Sequence, residues 1–147
     1  MDQLAKDVRS YIYDHFIQTS MAPSAADTAK ALGHSEANIE AAYHALAEAR
    51  SIVLRPHSTT IWMAMPFSNV QTPFTVISRG RAYYANCAWD AFGVPALLHA
   101  DARVFTTCGD CGSVLERKIS GGRLPETRGL VHFAIPARQW WDDVGFT

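Results

Sequence analysis

Apolar residues at helical spacing predict three consecutive helices in the first third of the chain. Leu4, Val8 and Ile12 recur every four residues and predict an amphipathic helix over residues 3–18. Ile39 and Leu46 lie on the apolar face of a third helix, after a short second one that ends near residue 32. The residues that fit the caps of the second and third helices are Ser24, Asp27, Gly33 and Ser35.

Two extended runs follow the helices, over residues 51–55 and 60–65, and they predict a hairpin around a Pro-His-Ser turn. Three helices and then a hairpin is the order of a winged helix-turn-helix. We therefore assign residues 1–66 to a winged-helix-like module. Residues 66–73 are rich in Pro, Ser and Asn, as is typical of a linker.

The remaining residues, 67–147, alternate or run apolar in short segments and predict a second domain. Helical character begins near Cys87 and runs toward Phe92, and Pro95 allows a fresh helical turn through Leu98. We expect a small mixed or antiparallel sheet with short helices, so that the whole chain belongs to the α+β class. The predicted strands are residues 74–78, 81–85, 102–107, 113–119 and 130–135.

Composition narrows the classes of function. The 147 residues are 48% hydrophobic and 18% charged, as in ordinary globular proteins, and the formal net charge is −1. The first residues carry both signs of charge and resemble no signal peptide, and no apolar run approaches the roughly 20 residues that cross a bilayer. We therefore expect a cytoplasmic protein that does not associate with a membrane.

The third helix bears on whether the helical module binds DNA. It carries Glu36, Glu40 and Glu48, and its full cation, Arg50, lies at the far end. Because Lys and Arg contacts to phosphate dominate the affinity for DNA, we expect no nucleic-acid partner.

Cys87 and Asp90 are the residues best suited to chemistry. They stand three apart at the start of a predicted helix, so both side chains project from one face. The positive end of the helix dipole favours a thiolate, which is a soft metal ligand, and a neighbouring carboxylate can relay a proton. A buried structural cysteine beside an ordinary acid at the start of a helix would show the same three-residue pattern.

The wider run over residues 80–96, GRAYYANCAWDAFGVPA, resembles the active-site segment of the organomercurial (alkylmercury) lyases. The resemblance extends over nearly the whole chain, with a helical module before this run, and with a strand bearing a cysteine and a V-H-F-x-x-P segment after it. It implies protonolysis of carbon–mercury bonds, which gives a hydrocarbon and mercuric ion. Cys87 would then be the thiolate that binds mercury, and Asp90 the carboxylate that transfers the proton. It implies no organic cofactor, and release of the ion to small thiols or to a mercury-accepting protein.

The resemblance also implies a second catalytic cysteine, on a strand that follows a segment like residues 136–147. The sequence stops at Thr147, so we expect either a fragment or a shortened relative. Cys108 and Cys111 are the remaining cysteines and therefore the other candidate mercury ligands. Their C-x-x-C spacing is half of a zinc knuckle, which His99 or His132 would have to complete.

Two further alternatives stay open at the level of sequence. A protein without the second thiol could be a non-catalytic module that binds metals or mercurials, or a winged-helix regulator. The run from Trp140 to Asp143 could form a binding platform, or its aromatic residues could cap a core.

Overall fold

The computed structural model describes residues 2–125 and 129–145. The helices in this part of the chain are α1 (Gln3–Thr19), α2 (Ala25–Leu32), α3 (Glu36–Glu48) and α4 (Ala88–Leu98), with a short 3-10 helix at Ala137–Gln139. The strands are β1 (Val53–Leu54), β2 (Ile61–Ala64), β3 (Phe67–Ser68), β4 (Phe74–Ser78), β5 (Arg81–Ala85), β6 (Ala102–Thr107) and β7 (Val114–Ile119). Among the helices of these described residues, none is long and apolar enough to cross a membrane.

The predicted caps of the second and third helices are confirmed. The Ser24 side chain accepts a hydrogen bond from the backbone N–H of Asp27 at 3.0 Å, and Ser35 accepts one from Asn38 at 3.3 Å. Gly33 ends α2 with a φ of 72°, in the left-handed region that a residue without a Cβ enters at little cost.

One antiparallel sheet connects the two halves of the chain. Its strand order is β1-β2-β3-β5-β4-β6-β7. The short strand β3 lies within the predicted linker, where Phe67 pairs with Ala64 of β2 on one side and with Ala85 of β5 on the other. The sheet therefore crosses residue 66, and the α+β class expected from the sequence is confirmed.

Aromatic packing around β3 fixes the helices against the sheet. Phe67 is fully buried, and its ring stacks on that of Phe16 in α1 with centroids 5.2 Å apart and planes 10° apart. Tyr83 packs against the same ring at 5.4 Å, and its hydroxyl donates to the carbonyl of Ile17 at 2.9 Å. These contacts pack α1 against β3 and β5, two interior strands of the sheet, and α4 starts shortly after the end of β5.

Two predictions of local structure were wrong. No strand forms over residues 130–135; Phe133 instead packs against the ring of Trp140 at 4.9 Å, and Leu130 is fully exposed. A short apolar run can pack as an irregular segment as readily as it can join a sheet. The helix toward Phe92 and the fresh turn after Pro95 were also expected as separate pieces. They form one continuous helix, α4, in which Val94 and Leu98 on either side of Pro95 are buried.

Candidate active site

Cys87 and Asp90 lie where the sheet gives way to α4. Cys87 is the N-cap residue, with extended backbone angles (φ −150°, ψ −178°), and its side chain makes no capping hydrogen bond. Asp90 lies in the first turn of the helix. The pair therefore stands at the start of α4, where the sequence placed it.

Asn86 holds the carboxylate of Asp90 in place. Its Nδ2 donates to Asp90 Oδ2 at 3.1 Å and to the backbone carbonyl of Phe67 at 3.3 Å. The Oδ1 atom of Asn86 is buried and has no hydrogen-bond partner among the described residues. Asn86 was not among the site residues predicted from the sequence. Its position between an apolar strand and the cysteine was the available signal.

Burial raises the pKa of both Cys87 and Asp90. Desolvation raises the pKa of Asp90, and hydrogen bonds from Asn86 and Cys87 offset part of that rise. Desolvation is also the main cause that raises the pKa of Cys87; the Asp90 backbone N–H lowers it, while the charge of the Asp90 carboxylate raises it. The helix start was expected to favour the thiolate, but in the folded chain burial outweighs that effect.

Two cavities meet at Cys87. One has a volume of about 200 Å³ and contains both Cys87 and Asp90 in its wall. The other has a volume of about 230 Å³ and shares Asn86, Cys87, Phe133 and Trp140 with the first. The first is otherwise lined by apolar, aromatic and thioether side chains: Met63, Met65, Trp89, Trp141 and Val144. The sequence did not link the two methionines to Cys87, because they lie in and just after β2, more than twenty residues earlier in the chain.

The segment 129–145 forms the roof of these cavities. Trp140 is held by its ring contact with Phe133 and by its Nε1, which donates to the carbonyl of Ile135 at 3.1 Å. The centroid of the Trp141 ring lies 5.2 Å from the guanidinium carbon of Arg50, a residue just beyond the end of α3. Both tryptophans line the Cys87 cavity, so the structure favours the binding platform among the two interpretations of this run.

Cys108 and Cys111 lie elsewhere, in the loop between β6 and β7. Neither lines the two cavities at Cys87, whereas His132 lines the second of them and His99 follows α4. Within residues 2–125 and 129–145, no three His, Cys, Asp or Glu side chains cluster as a metal site. The completed zinc knuckle considered from the sequence therefore does not form among the described residues.

One family model and one solved structure are similar to this chain. The family model described as alkylmercury lyase matches residues 67–147. A solved structure, described as the mercury-bound form of MerB2, superposes with a TM-score of 0.70 at 20% sequence identity. The match covers 87% of this chain but 61% of that one, and at this identity it shows a shared fold. A search of curated proteins found no match.

Proposed function

The chain belongs to the alkylmercury lyase family, and from that premise we propose that it binds organomercurials through Cys87 and cleaves their carbon–mercury bond with a proton carried by Asp90. One observation carries the proposal: a thiol and a carboxyl group, both with raised pKa, line the same cavity of about 200 Å³. A soft ligand and an acid are the two groups that protonolysis requires.

The first step is ligation. Because the pKa of Cys87 is raised, its side chain is mainly a protonated thiol at neutral pH before the substrate binds. As the sulfur–mercury bond forms, the thiol proton passes to the Asp90 carboxylate, and the ligand that accompanied the organomercury cation leaves as an anion. The raised pKa of Asp90 makes its carboxylate a better proton acceptor than an exposed aspartate would be.

The second step breaks the carbon–mercury bond. The electron pair of that bond takes the proton from the Asp90 carboxyl group, which releases the hydrocarbon and restores the carboxylate. Mercuric ion stays on the Cys87 sulfur until an external thiol displaces it. Asn86 keeps one carboxylate oxygen fixed through its hydrogen bond of 3.1 Å, which leaves the other free to move the proton.

The cavity wall suits a soft, apolar substrate. Met63 is buried and Met65 half-buried in this wall, and their thioethers add polarizable sulfur beside the thiol. Trp140 and Trp141 also line this cavity. Such a lining excludes water from the mercury–carbon bond and accommodates a methyl or phenyl group.

A binding module without catalysis is the second candidate. It is favoured by the position of the other thiols, because neither Cys108 nor Cys111 lines the two described cavities at Cys87. A chain that retains mercury on one thiol would bind once and turn over slowly. We therefore expect cleavage to depend strongly on added small thiols.

The test measures binding and cleavage separately. Wild type and Cys87→Ser are mixed with phenylmercury in excess glutathione, benzene release is followed by gas chromatography, and retained phenylmercury, as distinct from mercuric ion, is measured after desalting. We expect the variant to lose both, because a hydroxyl is a poor ligand for a soft cation. Unfolding curves of the two proteins control for damage to the fold. Benzene release by Cys87→Ser at the wild-type rate would refute the mechanism, and binding by wild type without any benzene would support the binding module.

A further inference from the structure

The hairpin loop between β6 and β7 carries two cysteines on one tight turn. Thr107 pairs with Val114 at the ends of the two strands, so the register on both sides of the loop is fixed. The N–H of Cys108 donates to the carbonyl of Ser113 at 2.8 Å, and the N–H of Gly112 donates to the carbonyl of Cys108 at 2.9 Å. Gly112 has a φ of 70°, which turns the chain back toward β7.

We propose that Cys108 and Cys111 form a second soft-metal site, which chelates one mercuric ion between two sulfurs. The turn holds the two residues three apart on a backbone that is already closed by hydrogen bonds, so little ordering is needed when the ion binds. Cys111 is exposed and Cys108 is half-buried, so solvent and small-thiol complexes reach the pair.

The local chemistry makes Cys111 the entering ligand. Its Sγ lies 3.1 Å from the Ser113 hydroxyl. Cys111 is exposed whereas Cys108 is half-buried, so the sulfur of Cys111 meets the incoming mercury complex first and Cys108 then closes the chelate.

The number of ligands selects the ion. Among the described residues, no third His, Cys, Asp or Glu side chain joins the pair to make a metal cluster. A structural zinc site needs four protein ligands. Mercuric ion is satisfied by two thiolates in a linear arrangement, so two sulfurs are a complete donor set for mercury and half of one for zinc.

The exchange balances without an oxidant or reductant. Mercuric bis-glutathione gives its ion to the two protein thiols, two mercury–sulfur bonds break and two form, and the two protein protons pass to the glutathione that leaves. Because the site is separate from the Cys87 cavities, it does not depend on cleavage at Cys87. It binds the inorganic ion rather than an organomercurial.

The experiment isolates this pair by removing the other thiol. The full chain carrying Cys87→Ser is incubated with mercuric bis-glutathione in excess glutathione and desalted, and its mercury content is measured. We expect one ion per chain. Adding Cys111→Ser or Cys108→Ser should weaken retention about 10²- to 10⁴-fold, the range gained when a second binding event becomes intramolecular.

Two controls test whether the ion is held by both sulfurs of one chain. Ser113→Ala in the same background keeps both thiols and should retain the ion, and zinc alone should not survive desalting. Equal retention by the single-cysteine variants, an absence of mercury in the Cys87→Ser chain, or one ion shared by two chains on size-exclusion chromatography would each overturn the proposal. None of these readouts depends on hydrocarbon release, so a failure here is distinguishable from a failure of the cleavage mechanism.

Discussion

Replacement of Asp90 by asparagine separates its proposed chemical role from a structural one. The two side chains have nearly the same shape, and an amide oxygen at this position still accepts the Asn86 hydrogen bond now seen at 3.1 Å. The amide cannot take the thiol proton or deliver it to carbon. Because general acid–base catalysis contributes about 10²- to 10⁴-fold, we expect benzene release to fall by that factor while phenylmercury is still retained.

The same change should stabilise the folded chain at neutral pH. Burial raises the pKa of Asp90, so the folded state binds its proton more tightly than the unfolded state does. The stability contributed by this group is therefore greatest at low pH and falls as the pH rises from the ordinary value of 3.8 through the raised one. The neutral amide removes that penalty. The Asp90→Asn protein should therefore be more stable than wild type at pH 7.

Asp101→Asn is the matched control. Asp101 is exposed and accepts hydrogen bonds from the N–H of Gly121 at 2.8 Å and from the hydroxyl of Ser120 at 2.9 Å, which lower the pKa of its carboxyl group. This variant should lose stability and keep benzene release. Urea unfolding at several pH values and gas chromatography measure both properties. An Asp90→Asn protein that is less stable than wild type at pH 7, or that cleaves at the wild-type rate, would refute the reasoning.

Two further substitutions test the surroundings of the thiol. Asn86→Ala removes a hydrogen bond that lowers the pKa of the neighbouring carboxyl group, so the acidic limb of the pH–rate profile should move to higher pH. Asn69→Ala, which removes a structural hydrogen bond to Ile61 at 2.9 Å, should leave that limb in place, and equal profiles for all three proteins would contradict the assignment. Gly145→Ala would set a Cβ 2.5 Å from the ring of Trp62 and should displace the segment 129–145 from the cavities. Gly109→Ala is the control, because a Cβ there would meet no atom within 4 Å. If an overpacking cost of about 1 kcal/mol favours the open roof, Cys87 should react about fivefold faster with iodoacetamide. An alkylation rate equal to that of Gly109→Ala would count against the roof.

The sequence by itself determined the caps of two helices and the placing of Cys87 and Asp90 on one helix start. The caps at Ser24 and Ser35 are satisfied within three residues of the chain, so the residues that predict a helix start also make it. Cys87 and Asp90 are likewise set by one helix turn, because side chains three apart share a face whatever packs around them. The resemblance of residues 80–96 to a known active-site segment could be recognised because it, too, depends on residues close together in the sequence.

The tertiary structure decided what surrounds that pair. Met63 and Met65 reach the cavity through the pairing of β2, β3 and β5, and Trp140 and Trp141 reach it through a segment that forms no strand. Burial produced by these distant residues outweighed the helix-start effect on the pKa of Cys87. Spacing along the chain gives the direction of a side chain on its own element. Desolvation depends on which other elements close over it, and that is settled only when the sheet and its roof assemble.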